Sequence, residues 1–194
     1  KTKKLIIGYN HHFGRNREGS FRQLKKLASV YGFELEKIAA QDINKIEISS
    51  TKIRKALSGG DIKTANKFLG YEYSIKGKVV KGKGLGKELG YPTANIQIDD
   101  KHKLVPADGI YTVTAEVENK TYNGMMSIGF NPTVNGEKKT IEVNLFDFEK
   151  NIYDKSIRIF FKQKIRDEKK FDSMEALKKQ IDSDKEKSLK ILSA

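Results

Sequence analysis

The spacing of hydrophobic and polar positions changes character along this chain. Lys4 to Gly8 (KLIIG) is a short apolar run that reads as a buried strand. A polar loop, NHHFGRNREGS, follows it. Ser20 then stands at a helix N-cap position, with Phe21, Leu24, Leu27 and Ala28 at helical spacing and Gly32 as terminator. Phe33 to Ile38 alternates as a strand, and Ile46 to Ile48 offers another short one. Ser49 or Ser50 caps a helix through Leu57 that Gly59 and Gly60 end. Asp61 caps the next helix, Ile62 to Leu69, which Gly70 ends. Strand–helix–strand–helix order predicts a parallel, Rossmann-like sheet. The strands are too few for a whole α/β nucleotide fold, so residues 1–70 read as the second half of such a domain.

Near residue 70 the pattern becomes all-β. Tyr73 to Lys81, Gly109 to Val117, Tyr122 to Ile128, Thr140 to Phe146 and Ser156 to Phe161 alternate or run β-branched. Turn signals separate them at Asp108-Gly109, Glu118-Asn119-Lys120, Asn135-Gly136 and Asn151. Five or six short strands with such turns predict a small closed barrel. The period changes once more in the tail. Ser173 caps a helix that is expected to set Met174, Leu177, Ile181 and Leu189 on one side and charges on the other. The expected division is therefore residues 1–70 and residues 71–194.

Composition narrows the function. Of 194 residues, 37% are hydrophobic and 32% charged, which fits a water-soluble globular chain. No apolar run is long enough for a membrane span, and LIIGYN is too short for a secretory leader. The absence of cysteine excludes disulfides, thiolate metal sites and a cysteine nucleophile, and suits a cytoplasmic setting. His11, His12 and His102 lack zinc-site spacing. The net charge of +13 fits either a nucleic-acid surface or a lysine-rich surface around sites for anionic small molecules. The lysines are scattered and no nucleic-acid motif is present, so nucleic acid is not the expected partner, nor is a membrane.

The stretch GKVVKGKGLGKELGYPTAN, residues 77–95, carries the most chemistry. Gly82, Gly84 and Gly86 alternate with Lys81, Lys83 and Lys87. Glycine lets a backbone approach an anion, and lysine supplies charge to the same place. Pro92 then fixes the chain before Thr93, whose hydroxyl and the Asn95 amide are hard ligands suited to Mg²⁺. The same residues also fit a flexible hairpin and an edge strand. In TIEVNLF, Glu142 and Asn144 share one strand face, opposite Ile141 and Val143. A carboxylate aimed at a pocket is a candidate general base, and a solvent-facing glutamate is the commoner alternative. Arg166, in IRDEKKF, can pin an anion, stack on a planar ring or serve an ordinary polar connection. ISSTKIR, residues 48–54, sets hydroxyls at a helix start, which fits a phosphate cradle or plain capping. GYNHHFGRNREG, residues 8–19, is a strand-exit loop where α/β sheets place ligands.

On these residues the chain resembles the bacterial bifunctional riboflavin kinase/FAD synthetase. GKVVKGKGLGKELGYPTAN, GIYTV, SIGFNPT, IEVNLFDF, IYDKSIRIFF and IRDEKKFDSMEALKKQI follow the kinase module in order across most of residues 70–190. GYNHHFG and ISSTKIR resemble the back half of the adenylyltransferase module. The resemblance implies a six-stranded Greek-key β-barrel with a C-terminal helix, preceded by half of a Rossmann-like nucleotidyltransferase domain. It implies ATP- and Mg²⁺-dependent phosphorylation of riboflavin to FMN, with ADP as the other product. It assigns Thr93 and Asn95 to Mg²⁺, Gly82, Gly84, Lys87 and Asn144 to the nucleotide, Glu142 to proton abstraction, and Arg166 and Lys169 to the flavin side. Asn10, Ser50, Thr51 and Arg54 would belong to the adenylylation site.

The family's histidine-rich HxGH-type signature is missing, and His11-His12 lies in the later strand-exit loop. FAD synthesis is therefore expected of a longer parent and not of this chain, and self-association through the half-domain is a further expectation. The competing class is a non-catalytic oligonucleotide-binding barrel, which leaves the loop glycines unexplained. The catalytic reading requires the Glu142 carboxylate to lie near Thr93.

Overall fold

The structure is a computed structural model that describes residues 2–39, 42–43, 46–82, 84–133 and 136–193. The chain forms two compact units, Lys1–Ser49 and Ser50–Ala194. The expected turn at Asn135-Gly136 and Lys83 of the glycine loop fall wholly or partly outside the described residues.

In the first unit, β1 (Lys4–Gly8) and β2 (Glu34–Ile38) pair in parallel, joined through α1 (Phe21–Tyr31). This is the strand–helix–strand order that the hydrophobic spacing predicts. Gln23 accepts the Ser20 N–H at 2.7 Å, and Gly32 ends the helix in the left-handed region at φ 66°. Before α1, Phe13 and Gly19 exchange backbone hydrogen bonds and close the polar loop around a 3-10 turn, Arg15–Arg17. β3 (Asp42–Ile43) and β4 (Ile46–Glu47) form a separate antiparallel pair.

The second unit opens with α2 (Ser50–Ser58) and α3 (Ile62–Leu69). The Asp61 carboxylate accepts the Thr64 N–H at 3.1 Å and starts α3 as expected of a cap. Leu57, Ile62 and Ala65 join the same hydrophobic core as the strands that follow. Asn66 ties α3 to the sheet: its amide donates to the Phe161 carbonyl at 2.8 Å and accepts the Tyr73 N–H at 2.8 Å.

The strands are β5 (Ser74–Val80), β6 (Ala94–Ile98), β7 (Gly109–Val117), β8 (Lys120–Thr133), β9 (Gly136–Leu145) and β10 (Ser156–Arg166), with a short helix α4 (Leu85–Glu88) between β5 and β6. They close into a barrel in the order β10-β5-β6-β9-β8-β7, all pairs antiparallel. β7, β8 and β9 form a meander and β10 returns beside β7, which is Greek-key connectivity. The alternation read from the sequence is the alternation of burial. Tyr111, Val113, Ala115 and Val117 of β7 point inward, as do Ile157, Ile159 and Phe161 of β10. Tyr111 meets Phe161 edge-on at 5.4 Å. Each fully buried side chain of this kind contributes roughly 1.5–3 kcal/mol, so the barrel interior dominates the stability of this unit.

β8 and β10 run further than the alternation predicts. In β10, register shifts against β7 between Phe161 and Gln163 and between Lys164 and Arg166 break the period while pairing continues. The terminal helix α5 (Met174–Leu192) also differs from expectation. Met174 and Leu189 are exposed, whereas Asp184 and Ser188 are buried. The packed stripe runs through Leu177, Ile181, Asp184 and Ser188, because polar partners on the barrel wall receive the last two: Thr112 donates to the Ser188 hydroxyl at 3.2 Å, and Arg166 meets Asp184.

Candidate active site

β6 lies between β5 and β9, and its register sets Asn95 opposite Glu142 and Ala94 opposite Val143. Ile141 and Val143 enter the core, so period-two alternation sends Glu142 and Asn144 to the other face of the strand. Thr93 reaches that face from the residue before β6 and donates to Glu142 Oε2 at 3.0 Å. Asn144 is buried, and its Nδ2 donates to the Pro92 carbonyl at 2.7 Å. The segment that carries Thr93 is thus fixed by the strand that carries Glu142.

The glycine loop folds against this pair, and two of its glycines make close approaches, Gly86 to backbone and Gly82 to a side chain. A Cβ at Gly82 would lie 1.9 Å from the Asn95 amide nitrogen. A Cβ at Gly86 would lie 2.3 Å from the Tyr91 carbonyl and 3.3 Å from Thr93 Oγ1. Gly84 has φ 77°, a left-handed conformation at the start of α4. Lys81 and Lys87 are exposed.

Two cavities meet at Thr93. One, about 290 Å³, opens at the barrel end among Val79, Pro92, Thr93, Val143, Phe148 and Tyr153. The other, about 220 Å³, lies on the outer wall under α5, and Thr93, Glu142, Asn144 and Arg166 line it. The apolar lining of the second comes from Leu89, Tyr91, Ile110, Met125, Leu177 and Ile181.

α5 is attached on both sides of this second cavity. The Tyr91 hydroxyl donates to Asp182, and Arg166 Nε donates to Asp184 Oδ2 at 2.8 Å. Burial, then the hydrogen bond to Asp182, pushes the Tyr91 hydroxyl up to about 12. Ser127 donates to Glu168 Oε1 at 3.4 Å from the cross-strand position opposite Glu142. Lys169 binds Gln180 Oε1 at 2.6 Å and does not line the cavity.

Among the described residues no three His, Cys, Asp or Glu side chains cluster as a metal cage. The donors at Thr93 and Asn95 are instead a hydroxyl and an amide beside the Glu142 carboxylate. That oxygen set fits Mg²⁺, which commonly keeps one or two protein ligands and takes the rest from phosphates and water.

The residues expected at an adenylylation site divide between the two units. Asn10 lies in the first, on an exposed loop, with its amide 3.3 Å from the Tyr9 hydroxyl. Ser50, Thr51 and Arg54 lie in the first turns of α2, in the second unit. Tyr91, Ser127, Glu168, Asp182 and Asp184 border the outer cavity or hold its walls without having been singled out in the sequence. Only Asp184 left a trace there, as the polar position in a helical stripe with Leu177 and Ile181.

The family model described as Riboflavin kinase matches residues 69–192. The chain belongs to the riboflavin kinase family. A second model, described as FAD synthetase, matches residues 1–52. A protein of Pseudomonas fluorescens named bifunctional riboflavin kinase/FMN adenylyltransferase is 38% identical over 184 residues, 94% of this chain and 58% of its own length. A Haemophilus influenzae protein of the same name is 40% identical, over 95% of this chain and 60% of its own length. The chain thus spans about three fifths of these curated relatives. A Streptococcus pneumoniae crystal structure described as a macrolide-efflux protein superposes with a TM-score of 0.82 at 37% identity, covering 93% of this chain and 59% of that one. That description belongs to the neighbour. Among the described residues of this family member, no helix is long and apolar enough to cross a membrane.

Proposed function

We propose that the chain transfers the γ-phosphoryl group of ATP to the 5′-hydroxyl of riboflavin, giving FMN and ADP. The observation that carries this is Thr93, which borders both cavities and is hydrogen-bonded to Glu142. Two substrates placed in the two cavities would meet at Thr93. The outer cavity is mostly apolar and has an acid at its inner end, which suits a flavin ring with a ribityl hydroxyl directed at Glu142. The barrel-end cavity would take the nucleotide, its phosphates directed past Thr93 toward the glycine loop, of which Gly86 lines the outer cavity.

Glu142 accepts the hydroxyl proton as the new oxygen–phosphorus bond forms and the bond to ADP breaks. Thr93 and Asn95 would hold Mg²⁺, which supplies charge neutralisation at the phosphates when bound. Asn144 keeps Pro92, and with it Thr93, in place through the 2.7 Å hydrogen bond. The remaining contribution is positioning, the largest demand of a loose phosphoryl transfer.

The adenylyltransferase named in the longer relatives is assigned to a longer parent, because the FAD synthetase match here covers only residues 1–52. The cytoplasm is the setting we assign to this activity. Incubation with riboflavin, ATP and Mg²⁺ tests the kinase reading and the assignment of FAD synthesis to a longer parent. FMN with no FAD is the expected outcome. Retardation of RNA with no riboflavin-dependent ATP consumption overturns the kinase reading in favour of an oligonucleotide-binding barrel.

A further inference from the structure

Asp184 is a carboxylate where a helix packing on a barrel would ordinarily bury an apolar side chain. Its side chain is 2% exposed, and that of Arg166 17%. Such a group is costly to bury unless its oxygens are satisfied. Here both are: Oδ2 accepts from Arg166 Nε at 2.8 Å and Oδ1 from Gln180 Nε2 at 2.8 Å. A second donor of Arg166, Nη1, is used on the Asp167 carbonyl at 2.9 Å, and the guanidinium lies 5.8 Å from the Phe171 ring. Two donors of the guanidinium, Nε and Nη1, are therefore held by protein, and among the described residues no hydrogen bond reaches Nη2. Arg166 and Asp184 both line the outer cavity, together with Leu177 and Ile181 of the helix that carries Asp184.

We infer that Asp184 is a positioning residue for the phosphoryl acceptor. It orients the donor edge of Arg166 and, through the same bond, seats α5 as the apolar wall of the acceptor cavity. This rests on the kinase reading above. It goes beyond that reading in assigning acceptor affinity to a buried pair that does not touch the nucleotide cavity. Gln180 supports the pair by holding the second carboxylate oxygen. A plain structural ion pair would affect folding alone. A positioning pair affects the acceptor and spares the nucleotide.

The test compares wild type, Asp184→Asn, Arg166→Ala and the double variant by steady-state kinetics, with riboflavin binding followed by fluorescence quenching in the absence of ATP. Asp184→Asn is expected to raise KM and Kd for riboflavin about tenfold, the effect of losing a charge-assisted hydrogen bond. KM for ATP should stay unchanged. The double variant should match Arg166→Ala, since both changes remove one interaction. An unchanged riboflavin KM, an equal shift in both KM values, or additive losses overturns the inference. If Asp184→Asn fails to fold, Gln180→Ala decides: a raised riboflavin KM with ATP spared supports the role, and no change overturns it. A wild-type chain that forms no FMN overturns the kinase reading itself, whereas a variant with wild-type kinetics overturns only the role of Asp184.

Discussion

The Thr93 hydroxyl donates to Glu142 Oε2 at 3.0 Å, although 49 positions separate the two residues in sequence. Strand pairing brings them together: β6 and β9 are neighbours only because the barrel closes in Greek-key order. The acid is thus held by backbone ladders on both sides, and the hydroxyl stands one residue before the β6–β9 ladder begins.

Glu142→Gln keeps the shape of this site and removes the proton acceptor. Turnover is expected to fall by about 10²–10⁴-fold, the usual contribution of a positioned general base. Riboflavin binding, followed by fluorescence, should survive. Near-normal turnover would rule Glu142 out as the base.

Thr93→Val exchanges a hydroxyl for a methyl at nearly constant volume. Titration with the Mg²⁺–nucleotide complex should show weaker binding by about 1.5–3 kcal/mol, the worth of a hydrogen bond to a charged group. Thr93→Ser should recover most of it. Equal affinity in wild type and Thr93→Val would argue against ligation by this hydroxyl.

Gly82→Ala inserts a methyl where the Asn95 amide now sits, 1.9 Å from its nitrogen. The Asn95 side chain must leave, so KM for the nucleotide should rise while thermal stability falls only modestly. A variant that melts early yet binds nucleotide normally would separate the glycine from the site.

Asn66→Ala tests how α3 is fixed to the barrel. The change strands the Tyr73 N–H and the Phe161 carbonyl, each bonded at 2.8 Å in the structure. A loss of about 1–3 kcal/mol per unsatisfied buried group is expected in urea unfolding.

Alkaline pH should destabilise the barrel through its buried tyrosines. Burial, with a smaller contribution from Tyr71, pushes Tyr73 up to about 12, and burial and Asp182 do the same for Tyr91. Tyr111 rises further, chiefly by burial. An unfolded tyrosine loses its proton near ~10. Between ~10 and about 12 the unfolded chain therefore binds fewer protons than the folded one, and stability drops as pH rises through that window. Ultraviolet titration of tyrosinate should show these groups ionising late, together with loss of structure.

The fold was legible where one period governs a whole element. Gly109 to Val117 and the inward residues of β9 state their roles by alternation alone, whereas KLIIG, read as a buried run, forms a strand that buries Ile7 and leaves Ile6 exposed. Legibility failed where pairing breaks the period, as in β10 beyond Phe161, and where a polar stripe packs, as on α5. The site shows the same division. Thr93, Asn95, Glu142 and Arg166 stand out as residue types; period-two spacing gives the strand face of Glu142, but the place of Arg166 at the end of β10, where the sequence predicts a polar loop, does not follow from it. Tyr91 and Asp182, 91 positions apart, become partners only once α5 crosses the barrel wall, and no local pattern records that contact.

Thr93 borders both cavities, so they approach each other at this side chain. An inhibitor that joins a flavin mimic to a nucleotide mimic would need only a short linker passing this residue. On the proposed kinase reading, any bulkier side chain substituted there to resist such a compound would obstruct riboflavin and ATP at the same point, which leaves little room for escape by mutation.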